Sequence, residues 1–162
     1  MKIAFYIGNH AADSWPVRLG CYLTRLAQKG EFKKATHCEA IHEELPDGSC
    51  VIASSSLRDG GVRLKTVTLN PENWRIVNVH QWDVKKSIEL MSITKGEPYD
   101  LRGALATVLP GKQQTGRWFC NEWIGAPYLQ ASYSFQTAQF MAICLSLGAD
   151  VTQEFFLARK GV

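Results

Sequence analysis

The stretch Ala35-Thr36-His37-Cys38-Glu39-Ala40-Ile41, followed across Pro46-Asp47-Gly48 by Ser49-Cys50-Val51-Ile52-Ala53-Ser54-Ser55, reads as two short strands joined by a tight turn. Residues that fit a pleated, half-buried surface flank a reversing loop, so a β-hairpin is expected. Working outward, Asp59-Gly60-Gly61 ends the hairpin, Val62 to Leu69 makes a third strand closed by Asn70-Pro71, and Trp74 to His80 makes a fourth. Toward the N-terminus, Lys2 to Ile7 reads as a buried strand. Ser14-Trp15-Pro16 then resembles a helix start, with Ser14 available as cap. The helix is expected over residues 16–28, with Val17, Cys21, Leu23 and Leu26 on or near one side.

Past residue 80 the apolar period changes. Val84, Ile88 and Met91 recur at helical spacing through residues 82–94. Gly96 to Gly116 reads as loop with a short helix near Leu101 to Val108. Helices are expected again over Phe119 to Leu129 and Ser134 to Leu147, the latter opening on a capping residue and ending at Gly148. Strands gathered early and helices late predict an α+β fold, a small antiparallel sheet packed against helices. No internal repeat or low-complexity linker divides the chain. With 162 residues, 46% hydrophobic and 20% charged, residues 1–162 are expected to form a single domain.

Composition also narrows the partners. The formal charge of +3 arises from 18 basic and 15 acidic side chains scattered along the chain, so no nucleic-acid partner is expected. The five cysteines are odd in number, widely spaced and without a C-x-x-C pair, so neither a zinc knuckle nor a disulfide framework is predicted. No run approaches the roughly 20 apolar residues that span a bilayer. The apolar residues 2–8 are too few for a secretory signal. The expectation is a chain made in the cytoplasm with no membrane span, with delivery by a phage particle or secretion machine still open.

Chemistry concentrates in Trp118-Phe119-Cys120-Asn121-Glu122-Trp123. Cys120 falls at a predicted helix start, where the dipole favours thiolate, whereas Cys21 and Cys144 lie inside helices and Cys38 and Cys50 inside strands. A cysteine nucleophile needs an imidazole and usually a third group that orients it. His10 lies in a polar loop, His42 near the hairpin turn and His80 at a strand end. His37 lies within a strand, on a face shared with Ala35, Glu39 and Ile41. If the hairpin is centred between Pro46 and Asp47, His37 stands opposite Ser56 and Glu39 opposite Ser54; a one-residue slip brings Ser55 there instead. The group that orients His37 is thus open among Ser54, Ser56 and Glu39. Asp59-Gly60-Gly61 reads as a turn, since no Lys-Ser or Lys-Thr follows to make a phosphate loop.

The order of Thr36-His37-Cys38-Glu39, a second strand with polar residues, Tyr99-Asp100 and Phe119-Cys120-Asn121-Glu122 resembles the circularly permuted NlpC-type, papain-like cysteine hydrolases, relatives of lecithin retinol acyltransferase-like proteins. The resemblance covers roughly residues 34–147 and implies a permuted papain-like fold in which the cysteine opens a helix packed on the sheet. It implies Cys120 as nucleophile, His37 as general base and a polar residue on the following strand as orienter. Tyr99 would line the substrate cleft, and Glu122 would anchor the helix start or border the substrate. No metal or organic cofactor is implied. The implied substrate is an amide, such as a peptidoglycan stem peptide, with acyl esters or thioesters, and transfer in place of hydrolysis, as alternatives. The rival from another class is a non-catalytic binding or structural module on the same fold, as in a phage or virion assembly.

Overall fold

Alternation of buried and exposed residues organises the chain around one sheet. The structure is a computed structural model, describing residues 1–8, 14–28, 30–107, 112, 114–129 and 135–159, with Pro16 by its backbone alone. The strands are β1 (Lys2–Tyr6), β2 (His37–Glu44), β3 (Cys50–Ser56), β4 (Gly61–Val67), β5 (Trp74–Val79) and β6 (Gly148–Asp150). They lie in the order β4-β3-β2-β1-β5-β6 and every neighbouring pair is antiparallel. Among the described residues the helices are α1 (Trp15–Ala27), α2 (Val84–Thr94), α3 (Leu101–Ala106), α4 (Cys120–Gly125), α5 (Thr137–Ser146) and α6 (Thr152–Leu157). The architecture is therefore α+β, with a six-stranded antiparallel sheet.

Period-2 alternation sends Ile3, Phe5, Cys38, Ala40, Ala53, Val77 and Val79 to one face. Met91 of α2, Trp123 and Ile124 of α4, and Phe140, Met141 and Cys144 of α5 cover it. Trp123 is fully buried and donates its indole N–H to Thr94 Oγ1 at 2.9 Å, so its polar atom is satisfied inside this core. The other face carries Ala4, Ile41, Ile52 and Ile76, against which α6 packs Phe155 and Phe156.

The hairpin read from the sequence is present, with one irregularity. Ala40 pairs with Ala53 and Ile41 with Ile52, as a turn centred between Pro46 and Asp47 requires, but Glu43 pairs with Val51, so the register shifts by one around His42. The β2–β3 ladder begins at Ala40 and does not reach His37. The first residues of β2 pair only with β1, Tyr6 opposite His37. Ser56 consequently pairs with Gly61 of β4 and not with His37, and Ser54 pairs with Arg63. Expectation and structure differ here because the segment before α4 enters at this end of the sheet: Ser55 Oγ donates to Trp118 O at 2.5 Å, and Asp100 N donates to the same carbonyl at 2.9 Å.

Other differences have local causes. Ser14 is the N-cap residue of α1 but makes no side-chain cap bond. Leu23 lines the cavity with Val17 and Cys21 although it is partly exposed, whereas Leu26 is exposed and does not line it. Helix α4 ends at Gly125, short of Leu129, just ahead of Pro127, which has no N–H to extend a helical ladder. The expected ends at Val108 and Ser134 lie outside the described residues, as does His10. Strand β6 and helix α6 are additions to the sequence reading, since three residues of Gly-Ala-Asp carry no alternation to read. Gly148 permits the pairing: a Cβ there would run into the Asn78 carbonyl.

Candidate active site

Two strands, a loop and a helix start converge on Cys120. Cys120 is the first residue of α4 and is only 4% exposed, in the helix-side core beside Cys38. Its entry is held by Asp100, a fully buried carboxylate that accepts from Gly103 N at 2.7 Å and Gln114 N at 2.8 Å, so one side chain caps α3 and pins the approach to α4. Glu122 accepts from Phe119 N at 3.4 Å, closing the first turn of α4. Burial, reinforced by Asp100 and Cys120, raises its carboxyl to about 7.

His37 and Glu39 share the opposite face of β2, two residues apart. The His37 Nε2 lies 2.7 Å from Glu39 Oε1. With Nε2 engaged there, Nδ1 is the ring nitrogen left for the Cys120 thiol, with which the imidazole also interacts. Glu39 is itself fixed: its side chain is nearly inaccessible, and Arg63 Nη1 donates to Oε2 at 2.6 Å while Nη2 donates to Oε1. Arg63 is held in turn by Asp59, Nε to Oδ2 at 2.7 Å, and Lys65 bonds the same carboxylate at 2.9 Å. A fork-to-carboxylate pair of this kind supplies direction as well as charge.

The charges follow from these contacts. Burial opposes a cationic His37, but Glu39 and then Cys120 outweigh it and raise the imidazole to about 9. Burial would also raise Glu39, yet His37 and Arg63 hold it at about 2. The Cys38 thiol, donating to the Cys120 sulfur, lowers Cys120 well below the ordinary thiol range; burial opposes this and His37 assists it. Burial raises Cys38, Cys50 and Cys144 instead. Cys120 is thus placed to be a thiolate paired with an imidazolium, the reactive form of a thiol nucleophile.

A cavity of about 270 Å3 opens on the His37 side of the sheet, lined by His37, Glu39, Arg63, Ser56 and Tyr99 and roofed by α1 and α3. Cys120 does not line it; the thiol meets His37 from the helix-covered side. Of the residues singled out from the sequence, the structure brings together Cys120, His37, Glu39 and Tyr99, with Glu122 adjacent at the start of α4. Tyr99 is pushed well above its ordinary value by burial and then by Cys120. Ser54 Oγ points elsewhere, donating to Ser55 O at 3.4 Å, and Ser56 only borders the cavity. Arg63, Asp59 and Cys38 were not singled out. Arg63 and Asp59 flank the Gly60-Gly61 turn, where an Arg facing the hairpin's polar strand is the only available signal. Among the described residues no group of three His, Cys, Asp or Glu side chains could hold a metal ion.

No protein-family model matches the chain, and no curated protein or solved structure matches it at a significant level.

Proposed function

We propose that the protein is a cysteine hydrolase of the circularly permuted papain-like type, in which Cys120 is the nucleophile, His37 the general base and Glu39 the residue that orients His37. The observation that carries this reading is the single line of contacts from the Cys120 thiol through the His37 ring to the buried, Arg63-locked Glu39 carboxylate. An antiparallel sheet bearing the histidine, with a helix opened by the cysteine packed on it, supports the permuted arrangement. The thiolate attacks a carbonyl carbon, His37 delivers its proton to the leaving group, and water, deprotonated by His37, then releases the acyl group. Tyr99 borders the space the substrate would fill. The substrate class is an amide such as a peptidoglycan stem peptide, with esters and thioesters as the alternative acyl donors.

Iodoacetamide labelling near neutral pH, read by mass spectrometry, tests the reading. Cys120 alkylates ahead of Cys38, Cys50 and Cys144, and Cys120→Ser removes that fast phase together with hydrolysis of an acyl substrate. Equal labelling of all four buried thiols would sink it. A second reading, a non-catalytic module on the same fold, is favoured by one observation: the nucleophile is nearly buried and stands outside the cavity. Unchanged biological activity in a folded Cys120→Ser chain would select it.

A further inference from the structure

Helix α1 has two apolar sides, and only one faces the protein. At about 100° per residue, Val17, Gly20 and Thr24 cluster on the side that lines the cavity. Trp15, Leu19, Tyr22 and Leu26 fall within an arc of about 60° on the opposite side. They are 71%, 39%, 59% and 64% exposed. An aromatic-aliphatic stripe on the outer surface of a helix that already covers a cavity has no packing role among the described residues. Helix α3, which lines the same cavity with Leu101 and Leu105, leaves both partly exposed as well.

The charges around the stripe say what covers it. Neither α1 (WPVRLGCYLTRLA) nor α3 (LRGALA) contains an acidic residue, and together they carry Arg18, Arg25 and Arg102. Arg18 and Arg102 are exposed, while the Arg25 guanidinium bonds the Gly8 and Ile7 carbonyls. In the segment after α1, exposed Lys33 and Lys34 outnumber Glu31. The 4-3-4 spacing of the stripe would also suit a helix pair with a second copy. However, thirteen residues fall short of two heptads, and the flanking Arg18 would face a partner helix without a single carboxylate. Trp and Tyr beside Leu, with cations outnumbering the exposed Glu31 among the described residues at the margin, match a helix lying in the plane of an anionic lipid surface.

We propose that the outer face of α1, formed by Trp15, Leu19, Tyr22 and Leu26, docks the protein on an anionic bilayer and lays the cavity beneath it against the headgroup layer. This surface stands whether or not Cys120 is a nucleophile, because none of its residues belongs to that site.

Flotation of the full chain with phosphatidylcholine vesicles containing about 30% phosphatidylglycerol tests the surface. The protein floats with these vesicles, and binding falls at least about tenfold on pure phosphatidylcholine or in about 0.5 M salt. Trp15 serves as reporter: emission shifts to the blue on binding, and Trp15→Phe loses most of the shift while still floating. Leu19→Ser with Leu26→Ser lowers partitioning at least about tenfold with an unchanged circular dichroism spectrum. Ile93→Ser, at a site 77% exposed on α2, leaves it unchanged. If the double variant misfolds, Arg18→Glu supplies the same test through charge. The proposal is overturned by absence of binding to anionic vesicles, by equal binding of the folded double or Arg18→Glu variant, or by equal loss in Ile93→Ser. A micromolar dimer in sedimentation that the double substitution dissolves would also overturn it, by assigning the stripe to a second copy.

Discussion

Replacing Glu39 with Gln keeps the shape of the side chain and deletes its charge, so it isolates what the carboxylate does to His37. In the native protein His37 rises from its ordinary 6.5 to about 9 although burial opposes the charge. That difference is about 2.5 pKa units, or on the order of 3 kcal/mol favouring the imidazolium. The depression of Glu39 to about 2 is the same attraction seen from its partner, so the two shifts are not added. With Gln in place, burial remains and only the Cys120 thiolate still favours the cation, so the imidazole falls by at least about 2 units. At pH 8 the imidazolium then falls from about nine-tenths to about a tenth, and the alkylation of Cys120 slows about tenfold there. Arg63 retains Asp59 but loses a charged partner, a stability cost near the low end of the about 3–5 kcal/mol expected for breaking a buried pair. Titration of the His37 Cε1 proton by NMR, alongside alkylation rates across pH, measures both effects. A His37 that still titrates within about half a unit of its native value in a folded Glu39→Gln chain would refute the role given to Glu39.

The same pair makes stability depend on pH in two directions. His37, raised in the fold, contributes stability that is complete below 6.5 and lost as pH climbs through about 9. Glu39, depressed, contributes stability present above 4.5 and lost as pH falls through about 2. Urea midpoints should decline on both flanks and decline less in Glu39→Gln; an alkaline flank as steep in the variant would count against the pair. Asp100→Ala strips the acceptor from two amides at a fully buried position and should cost about 1–2 kcal/mol in urea unfolding, whereas a loss under about 0.5 would show that α3 does not depend on its cap. Gly61→Ala and Gly20→Ala should act with opposite sign. A Cβ at Gly61 meets the Glu97 carbonyl and costs about 1–3 kcal/mol, while Gly20, mid-helix with open space around it, gains about 0.5–1 kcal/mol. Equal melting shifts for the two would contradict the packing described.

Legibility from sequence varied with the range of the signal. Hairpin chemistry at Pro46-Asp47-Gly48 and helical spacing through Val84, Ile88 and Met91 are local, and both elements are present. The pairing of Glu39 with His37 was available only as one of three choices, because alternation says that two residues share a face but not which one turns toward the ring. The serines do not come opposite His37, for a reason no short window contains: the ladder from β2 to β3 stops at Ala40, and Trp118, distant in sequence, takes the hydroxyl of Ser55. Arg63 escaped notice for a related reason. Its carboxylate partner lies two strands away in the sheet, so an ordinary surface-strand arginine and a buried clamp look alike until the strands are assembled. The outer stripe of α1 is hidden by its own pattern, since Leu26 reads as a companion of Val17, Cys21 and Leu23 when the helix is given a single apolar side.

The insertion of the Trp118 segment at the end of the sheet also orders events in time. His37, Glu39 and Arg63 belong to the strands made first, and their mutual pairing needs nothing beyond residue 67. Cys120 joins them only when α4 docks, a contact of long sequence separation and so a late one in folding. Until then the thiol lacks both Cys38 and the imidazole and behaves as an ordinary cysteine. On the proposed assignment, a nascent or partly folded chain carries the His37–Glu39–Arg63 cluster before Cys120 is activated, and reactivity toward electrophiles becomes a marker of completed folding.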